Sequence, residues 1–371
     1  MKLSYWEYKT WLQDVDFTIV GSGIVGLCCA LFLKEKHPKS KVLVLERGLL
    51  PQGASTKNAG FACFGSISEI LSDVKQHSEQ EVQKLVQDRY EGIQLLRRIL
   101  GDKNLAYQQN GGHEVFLKKD NELYEQCIEK LDYANDLLKP IFKVNVFDQT
   151  ENVFVFENVK EWYITHTQEG QIDTGKMMIN LLKLCTSKGV LVLNGIEVEK
   201  LEELQTSVSV LSSDFDFVTK KVFVATNGFA SKLLNKQQVK PARAQVLITE
   251  PIPNLKIKGT FHLEEGYYYF RNVDNRILLG GGRNLDFKGE ETTRMGETES
   301  IQSALENLLK EVILPKQPFE IAQRWSGIMG VGNQKTPIIE QVSTNVFCGV
   351  RLGGMGVALG SLVGKDLAGM I

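Results

Sequence analysis

Asp16-Phe-Thr-Ile-Val20-Gly21-Ser-Gly23-Ile-Val-Gly26-Leu27 is the stretch that decides the fold of this chain. An apolar run stops at Gly21, and a helical apolar periodicity starts near Ile24 and continues through Leu27, Leu31 and Leu33 to Lys36. Lys41 to Glu46 reads as a second buried strand. Strand, glycine turn, helix and strand within about thirty residues make a βαβ unit, with parallel strands and a right-handed crossover. In that setting Gly21 permits the tight turn, Gly23 lets backbone approach a pyrophosphate, and Gly26 lets the helix pack closely on the strand. The helix N-terminus then faces the anion. Glu46 closes the second strand, where a carboxylate can accept from both ribose hydroxyls of an adenosine and would repel a 2′-phosphate. The pattern implies a dinucleotide of the NAD or FAD kind and disfavours NADP.

Outward from this unit, Gln76 to Leu138 turns helical, with one apolar stripe through Val82, Leu85, Val86, Ile93, Leu96 and Leu100 and another through Leu123, Cys127, Leu131 and Leu138. Gly111-Gly112 punctuates a short strand expected at Glu114 to Leu117. Asp173 is a candidate N-cap for a helix through Met177 and Leu181 that Gly189 closes, and Val190 to Leu193 resumes as strand. Short strands are expected around Val198, Val208 and Phe217, then Lys221 to Ala225. Gln245 to Thr249, Tyr267 to Arg271 and Arg276 to Leu279 are β-type, the last two forming an antiparallel hairpin. A helix from Ser300 to Ile313, strands Ile321 to Trp325 and Val346 to Val350, and a last helix from Val357 complete the pattern.

At 371 residues the chain exceeds what one core usually serves, so two interleaved domains are expected. A formal charge of -2 gives no basic field for nucleic acid. The start of the chain lacks a secretory pattern. The longest apolar tract, Val346 to Val363, is interrupted by Arg351 and glycines, so no transmembrane segment is expected. The six cysteines lack framework spacing and the five histidines are scattered singly. These features imply reduced thiols, a cytoplasmic setting and no metal site.

A second glycine-rich turn separates FAD from NAD. Arg351-Leu-Gly353-Gly354-Met355-Gly356-Val357 again joins a strand to a helix, which exposes another set of amides at a positive helix end. One pyrophosphate does not need two such cradles. A flavin does, because its N1 and C2 carbonyl region gains negative charge on reduction, and an aimed helix N-terminus stabilises that charge. The loop Gly53-Ala-Ser55-Thr-Lys57-Asn58-Ala-Gly60 adds hydroxyl and amide groups beside the early turn.

Taken in order, the Gly21 fingerprint, the Gly53–Gly60 loop, Gly170-Gln-Ile-Asp-Thr174, Val224-Ala-Thr-Asn-Gly228, Tyr269-Phe-Arg271, Gly280-Gly-Gly282 and Gly353-Gly-Met-Gly-Val357 resemble the D-amino-acid oxidase superfamily of FAD-dependent oxidoreductases. That superfamily includes glycine, sarcosine and γ-glutamylputrescine oxidases. The amino-terminal aromatic cluster (Tyr5, Trp6, Tyr8, Trp11) and the Ala-Thr-Asn-Gly segment look most like the last group. The resemblance implies an α/β fold: a Rossmann-like FAD-binding domain with a parallel central sheet, and an interleaved α+β substrate domain with an antiparallel sheet. Residues 1–75, 145–232 and 320–371 would form the first, and 76–144 and 233–319 the second. Gly21, Gly23, Gly26, Glu46 and Arg47 would hold the ADP half, and Val198 would meet adenine through its backbone. Ser55, Asn58, Ala59 and Gly60 would line the pyrophosphate and flavin. Thr226, Asn227 and Gly228 would flank the cofactor, while Arg351, Gly353, Gly354, Met355, Gly356 and Val357 would meet its pyrimidine end.

The implied reaction is oxidation of a C–N bond in a small amine or amino-acid-like substrate, giving an imine that water hydrolyses, with oxygen or a quinone as electron acceptor. Substrate-pocket candidates are Tyr267, Tyr269, Arg271, Trp325 and Met329. Alternation along the strand puts Tyr267 and Tyr269 on one face and Tyr268 and Phe270 on the other, and leaves open which pair meets the pocket. Met329 stands where glycine-oxidase-like members carry a carboxylate-binding Arg, so a simple α-amino acid would need Arg271, Arg243 or Arg351 instead. The segment also lacks the flavin-tethering Cys of monomeric sarcosine oxidases, which implies non-covalent FAD. Two other readings are an FAD-dependent 2-hydroxy acid dehydrogenase, for which His262 is the nearest base, and a flavin-binding module without turnover.

Overall fold

The computed structural model describes residues 2–234 and 238–371, so three positions of the expected 233–319 stretch lie outside the described residues. The βαβ unit forms as Val15–Val20, Ile24–Lys36 and Val42–Glu46, with Phe17 opposite Val42 and Val20 opposite Leu45 in parallel register. Every residue of Val42–Glu46 is buried, which is why the strand reads as an unbroken apolar run. Around it the first sheet runs Ile338–Gln341, Val346–Val350, Asp216–Val224, Val15–Val20, Val42–Glu46, Leu191–Asn194. All neighbours in that path are parallel except the first pair. Asp173 caps Thr174–Ser187 by accepting from Lys176 N at 2.8 Å, and this helix returns the chain to the Leu191 edge.

The second sheet runs Ile321–Val331, Lys240–Thr249, Arg276–Gly281, Tyr268–Val273, Thr260–Leu263, Gly112–Glu114, Trp162–His166, Phe147–Glu151. Its hairpin at 268–281 turns on Asp274 and Asn275, with φ of 47° and 60°, the left-handed pair that a two-residue turn of matching twist requires. Tyr269 pairs across to Gly280, whose missing side chain leaves room for the Tyr269 ring. Tyr268 and Phe270 point the other way, into a separate core with Phe261, on whose ring Phe270 stacks at 4.6 Å.

Strand pairing crosses the boundaries expected from sequence. Phe147–Glu151, Trp162–His166 and Ile321–Val331 fall in ranges expected for the nucleotide domain, yet all three pair within the second sheet. The helix Glu79–Leu100, expected with the substrate domain, packs on the final helix Gly356–Gly369, where Gly92 meets Ala358 O and Ser361 Oγ donates to Gly92 O at 2.6 Å. Pattern changes along a chain report element type, not the sheet an element joins. The short strand expected at 114–117 lies instead at Gly112–Glu114; beyond it the Val115 amide bonds His262 O, and Leu117 makes only an isolated bridge to Val159. Among the described residues no helix is long and apolar enough to cross a membrane.

Candidate active site

Between the C-terminal ends of the first sheet's strands and the face of the second sheet lies a cavity of about 550 Å³, inside the ~300–1,000 Å³ range of small-molecule sites. Its position follows the rule that open α/β sheets bind ligands beyond their strand carboxyl ends. The early turn and the late turn open into the same cavity: Gly21, Gly23, Glu46, Arg47, Ser55, Asn58, Ala59, Gly60 and Val198 line it, and so do Thr226, Asn227, Gly353, Gly354, Met355, Gly356 and Val357. Tyr267, Tyr269 and Met329 also face it.

The remaining expected residues do not line it, and each has a physical reason. A Cβ on Gly26 would fall on Gly21 O, so this glycine lets helix meet strand, as its spacing implies. Gly228 lies against Met329 O in the same way. Arg271 is buried behind the wall, where its Nη1 donates to Gly60 O at 3.0 Å and Ile172 O at 2.8 Å, so its charge holds the loop and is not offered to substrate. Trp325 Nε1 donates to Lys57 O at 3.0 Å, and Arg351 Nη2 donates to Gly332 O at 3.1 Å. Arg243, the other candidate for a substrate carboxylate, forks onto Glu290 at 2.7 and 2.8 Å.

At the nucleotide end, Glu46 is fixed by Ser22 N at 3.1 Å, Ser22 Oγ at 2.9 Å and Gly48 N at 3.0 Å. A carboxylate has roughly four acceptor directions, so about one is left for a ribose hydroxyl, fewer than sequence alone suggested. Ser55 Oγ accepts from Ile24 N at 3.0 Å and thereby caps the first turn of the helix beside the anion site. Asn58 closes its own turn, accepting from Gly60 N at 2.8 Å and from Thr174 Oγ1 at 2.9 Å. Thr226 Oγ1 is buried with no protein partner and belongs to the cavity wall.

Asn227 joins the two glycine regions. With φ of 44°, it turns its Oδ1 to accept from Arg351 N at 3.0 Å and Leu352 N at 3.1 Å. Truncation strands two amides, at about 1–3 kcal/mol each. Asn227→Ala is therefore expected to lower the melting temperature by several degrees and to release flavin faster on dilution, whereas Asn227→Asp keeps the acceptor and most of both properties.

Phe61 and Glu69, which sequence reasoning did not assign to the pocket, complete its far half together with Tyr269 and His262. Phe61 meets Tyr269 edge-on at 5.6 Å and His262 at 5.2 Å, which gives an aromatic wall. His262 Nε2 is buried without a protein partner, and burial lowers its pKa to about 4, so the ring is neutral near pH 7. Burial likewise pushes Tyr269 up to about 12. Glu69 also lines the cavity. Burial would raise it, but Arg89 at 3.0 Å and then Lys335 at 3.4 Å outweigh that and hold it at about 2. Among the described residues no group of His, Cys, Asp and Glu could hold a metal ion.

The chain's residues fit a flavin dinucleotide: an acceptor at one end, two helix N-termini along one cavity, and an unpartnered hydroxyl between them. The family model for FAD dependent oxidoreductases (DAO) matches residues 16–370. The chain belongs to this family. As a DAO-family FAD-dependent oxidoreductase it is similar to the probable oxidoreductase OrdL of Haemophilus influenzae, 21% identical over 97% of this chain and 83% of that protein. Its fold is that of glycine oxidase from Geobacillus kaustophilus (TM-score 0.76, 17% identity, 96% of this chain and 94% of that one). L-proline dehydrogenase from P. horikoshii is similarly close (TM-score 0.75, 16% identity, 97% and 93%). FAD is thus the cofactor of this DAO-family enzyme, and its substrate is a small molecule.

Proposed function

We propose that the enzyme oxidises the C–N bond of a small amine or amino-acid-like substrate to an imine, with FAD bound non-covalently. The observation that carries this reading is the aromatic wall of Phe61, Tyr269 and neutral His262, which shares one cavity with the late glycine turn. Solved relatives of the same fold include glycine oxidase, L-proline dehydrogenase and iminodiacetate oxidase, all named for substrates that carry a C–N bond.

Bound FAD supplies the hydride acceptor. The chain's own part is binding, charge stabilisation and the exclusion of water. The first-turn amides of Gly356–Gly369 have no intrahelical acceptor, so they are free to stabilise negative charge at the cavity. The aromatic wall excludes water from the reacting carbon. Burial holds His262 far too weakly basic to take the proton of an ammonium, so the substrate binds as the neutral amine, and the unpartnered Nε2 is left to hydrogen-bond it. Cys63 lines the cavity with its thiol kept protonated by burial, which supports a cofactor without a thioether tether. Six free, buried cysteines support a reducing, cytoplasmic setting.

Anaerobic mixing of the holoenzyme with panels of amines, N-substituted amino acids and 2-hydroxy acids is expected to bleach the flavin only with nitrogen-bearing compounds. Bleaching by hydroxy acids alone would overturn the amine reading in favour of alcohol oxidation. Colour that persists with every panel would favour a flavin-binding module without turnover. Recovery of colour in air, against recovery only with an added quinone, assigns the electron acceptor.

A further inference from the structure

Five cationic side chains line the cavity on its various sides, and four of them belong elsewhere. Arg47 lies over the Phe229 ring at 3.9 Å beside Glu46, and Lys57 belongs to the nucleotide-side loop. Lys232 pairs with Glu197 at 3.5 Å, and Lys335 sits between Glu69 and Asp73. Arg283 is different. It follows the strand Arg276–Gly281, on the same side of the cavity as Tyr267, and is half-buried. Its guanidinium lies over the Phe287 ring at 4.7 Å. The contact with the ring does not occupy the fork of N–H donors, which among the described residues makes no hydrogen bond.

The carboxylate whose charge reaches Arg283, Glu290, is already committed. It is buried under the Arg243 fork and also accepts from Gln245 Nε2 at 3.0 Å. Among the described residues Arg283 makes no ion pair, and burial lowers its pKa, so its charge is poorly compensated inside a ligand cavity. A half-buried planar cation of this kind is complementary to an incoming carboxylate, which it can take through two parallel bonds.

We infer that Arg283 anchors an anionic group of the substrate at the cavity mouth, remote from the carbon that is oxidised. This deepens the proposed oxidation of a small amine: the substrate class becomes amines with a distal carboxylate. The distal placement follows from the neighbours. Tyr267 and Phe287, packed edge-on at 5.9 Å around Arg283, are 40% and 46% exposed, whereas the aromatic wall of Phe61, Tyr269 and His262 lies deeper. A carboxylate directly on the reacting carbon would sit against that wall, beyond the Arg283 fork.

The test uses binding to the oxidised holoenzyme, so it does not depend on turnover or on the identity of the substrate. Titration with 4-phenylbutyrate, followed by perturbation of the flavin absorbance, is expected to saturate. Arg283→Gln should raise its apparent Kd at least tenfold, with Arg283→Lys between the two. Benzoate, whose carboxylate sits on the ring itself, should change less than threefold, and neutral 4-phenylbutanol should not distinguish the proteins. Failure of 4-phenylbutyrate to bind wild type, equal affinity in Arg283→Gln, or equal dependence of benzoate on Arg283 overturns the inference. So does loss of flavin from both variants, which would make Arg283 a structural or cofactor residue. A failed amine screen with an intact 4-phenylbutyrate effect would sink the reaction but leave the anchor.

Discussion

Gly26→Val is expected to yield protein that is colourless and destabilised by about 4 kcal/mol or more, among the largest effects a single substitution has. Even the first atom of the new side chain has no room, because a Cβ at Gly26 falls on Gly21 O and lies 3.1 Å from Ile19 Cγ2. The turn cannot withdraw. Gly21 has φ of 105°, its amide donates to Leu45 O at 2.8 Å, and its own Cβ position is 2.9 Å from Ala225 O. The helix cannot withdraw either, since Gly364 of the final helix lies so close that a Cβ there would be 2.6 Å from Cys28 Cβ and from Val25 O. Overpacking a rigid seam of this kind is relieved only by moving strand and helix apart, and that displaces the amides facing the pyrophosphate. Gly53→Ala is the contrast: its Cβ meets nothing within 4 Å, so stability should stay within about 0.5 kcal/mol of wild type. Thermal melts and the ratio of flavin to protein absorbance read both variants. A yellow Gly26→Val protein of wild-type stability would show that the seam yields.

This seam was legible in the sequence because each glycine sits at a fixed place between a strand and a helix of clear periodicity. The late turn at 353–357 was legible for the same reason. Arg271 was not, since a strand residue after an aromatic run gives no hint that its guanidinium turns back to Gly60 O and Ile172 O. Glu69 and Lys335 meet across 266 positions, and Arg283 gains its meaning only once Glu290 is seen to be occupied by Arg243. Local pattern specifies elements. Which charges are left over after the elements pack is a property of the assembled molecule, and that remainder defines the substrate end of the site.

The same point gives the second large effect, at His166. This residue closes the strand Trp162–His166, is 1% exposed, and has no partner on either ring nitrogen. Phe64, Phe142 and Phe147 surround it with ring centroids at 5.5, 5.2 and 5.0 Å. Burial therefore lowers its pKa from 6.5 to about 3. In the unfolded chain the ring takes a proton as pH falls below 6.5, and in the folded chain it does not. Stability is thus full above the unfolded value and is lost as pH falls, by about 1.4 kcal/mol per unit until pH nears 3. Glu114 and Glu169, raised by burial to about 7, run the other way: their contribution is full below 4.5 and is lost as pH rises through 7. The wild-type profile mixes these slopes, but the difference between wild type and His166→Phe cancels the carboxylates. That difference should shift in favour of the variant by about 2 kcal/mol between pH 7 and pH 5, read from denaturant midpoints at the two values. Any offset from the slightly larger ring is the same at every pH, so only the slope is diagnostic. Parallel profiles for the two proteins would mean that His166 finds a proton partner in the folded state and that the pocket between the three phenylalanines is wetter than its packing indicates.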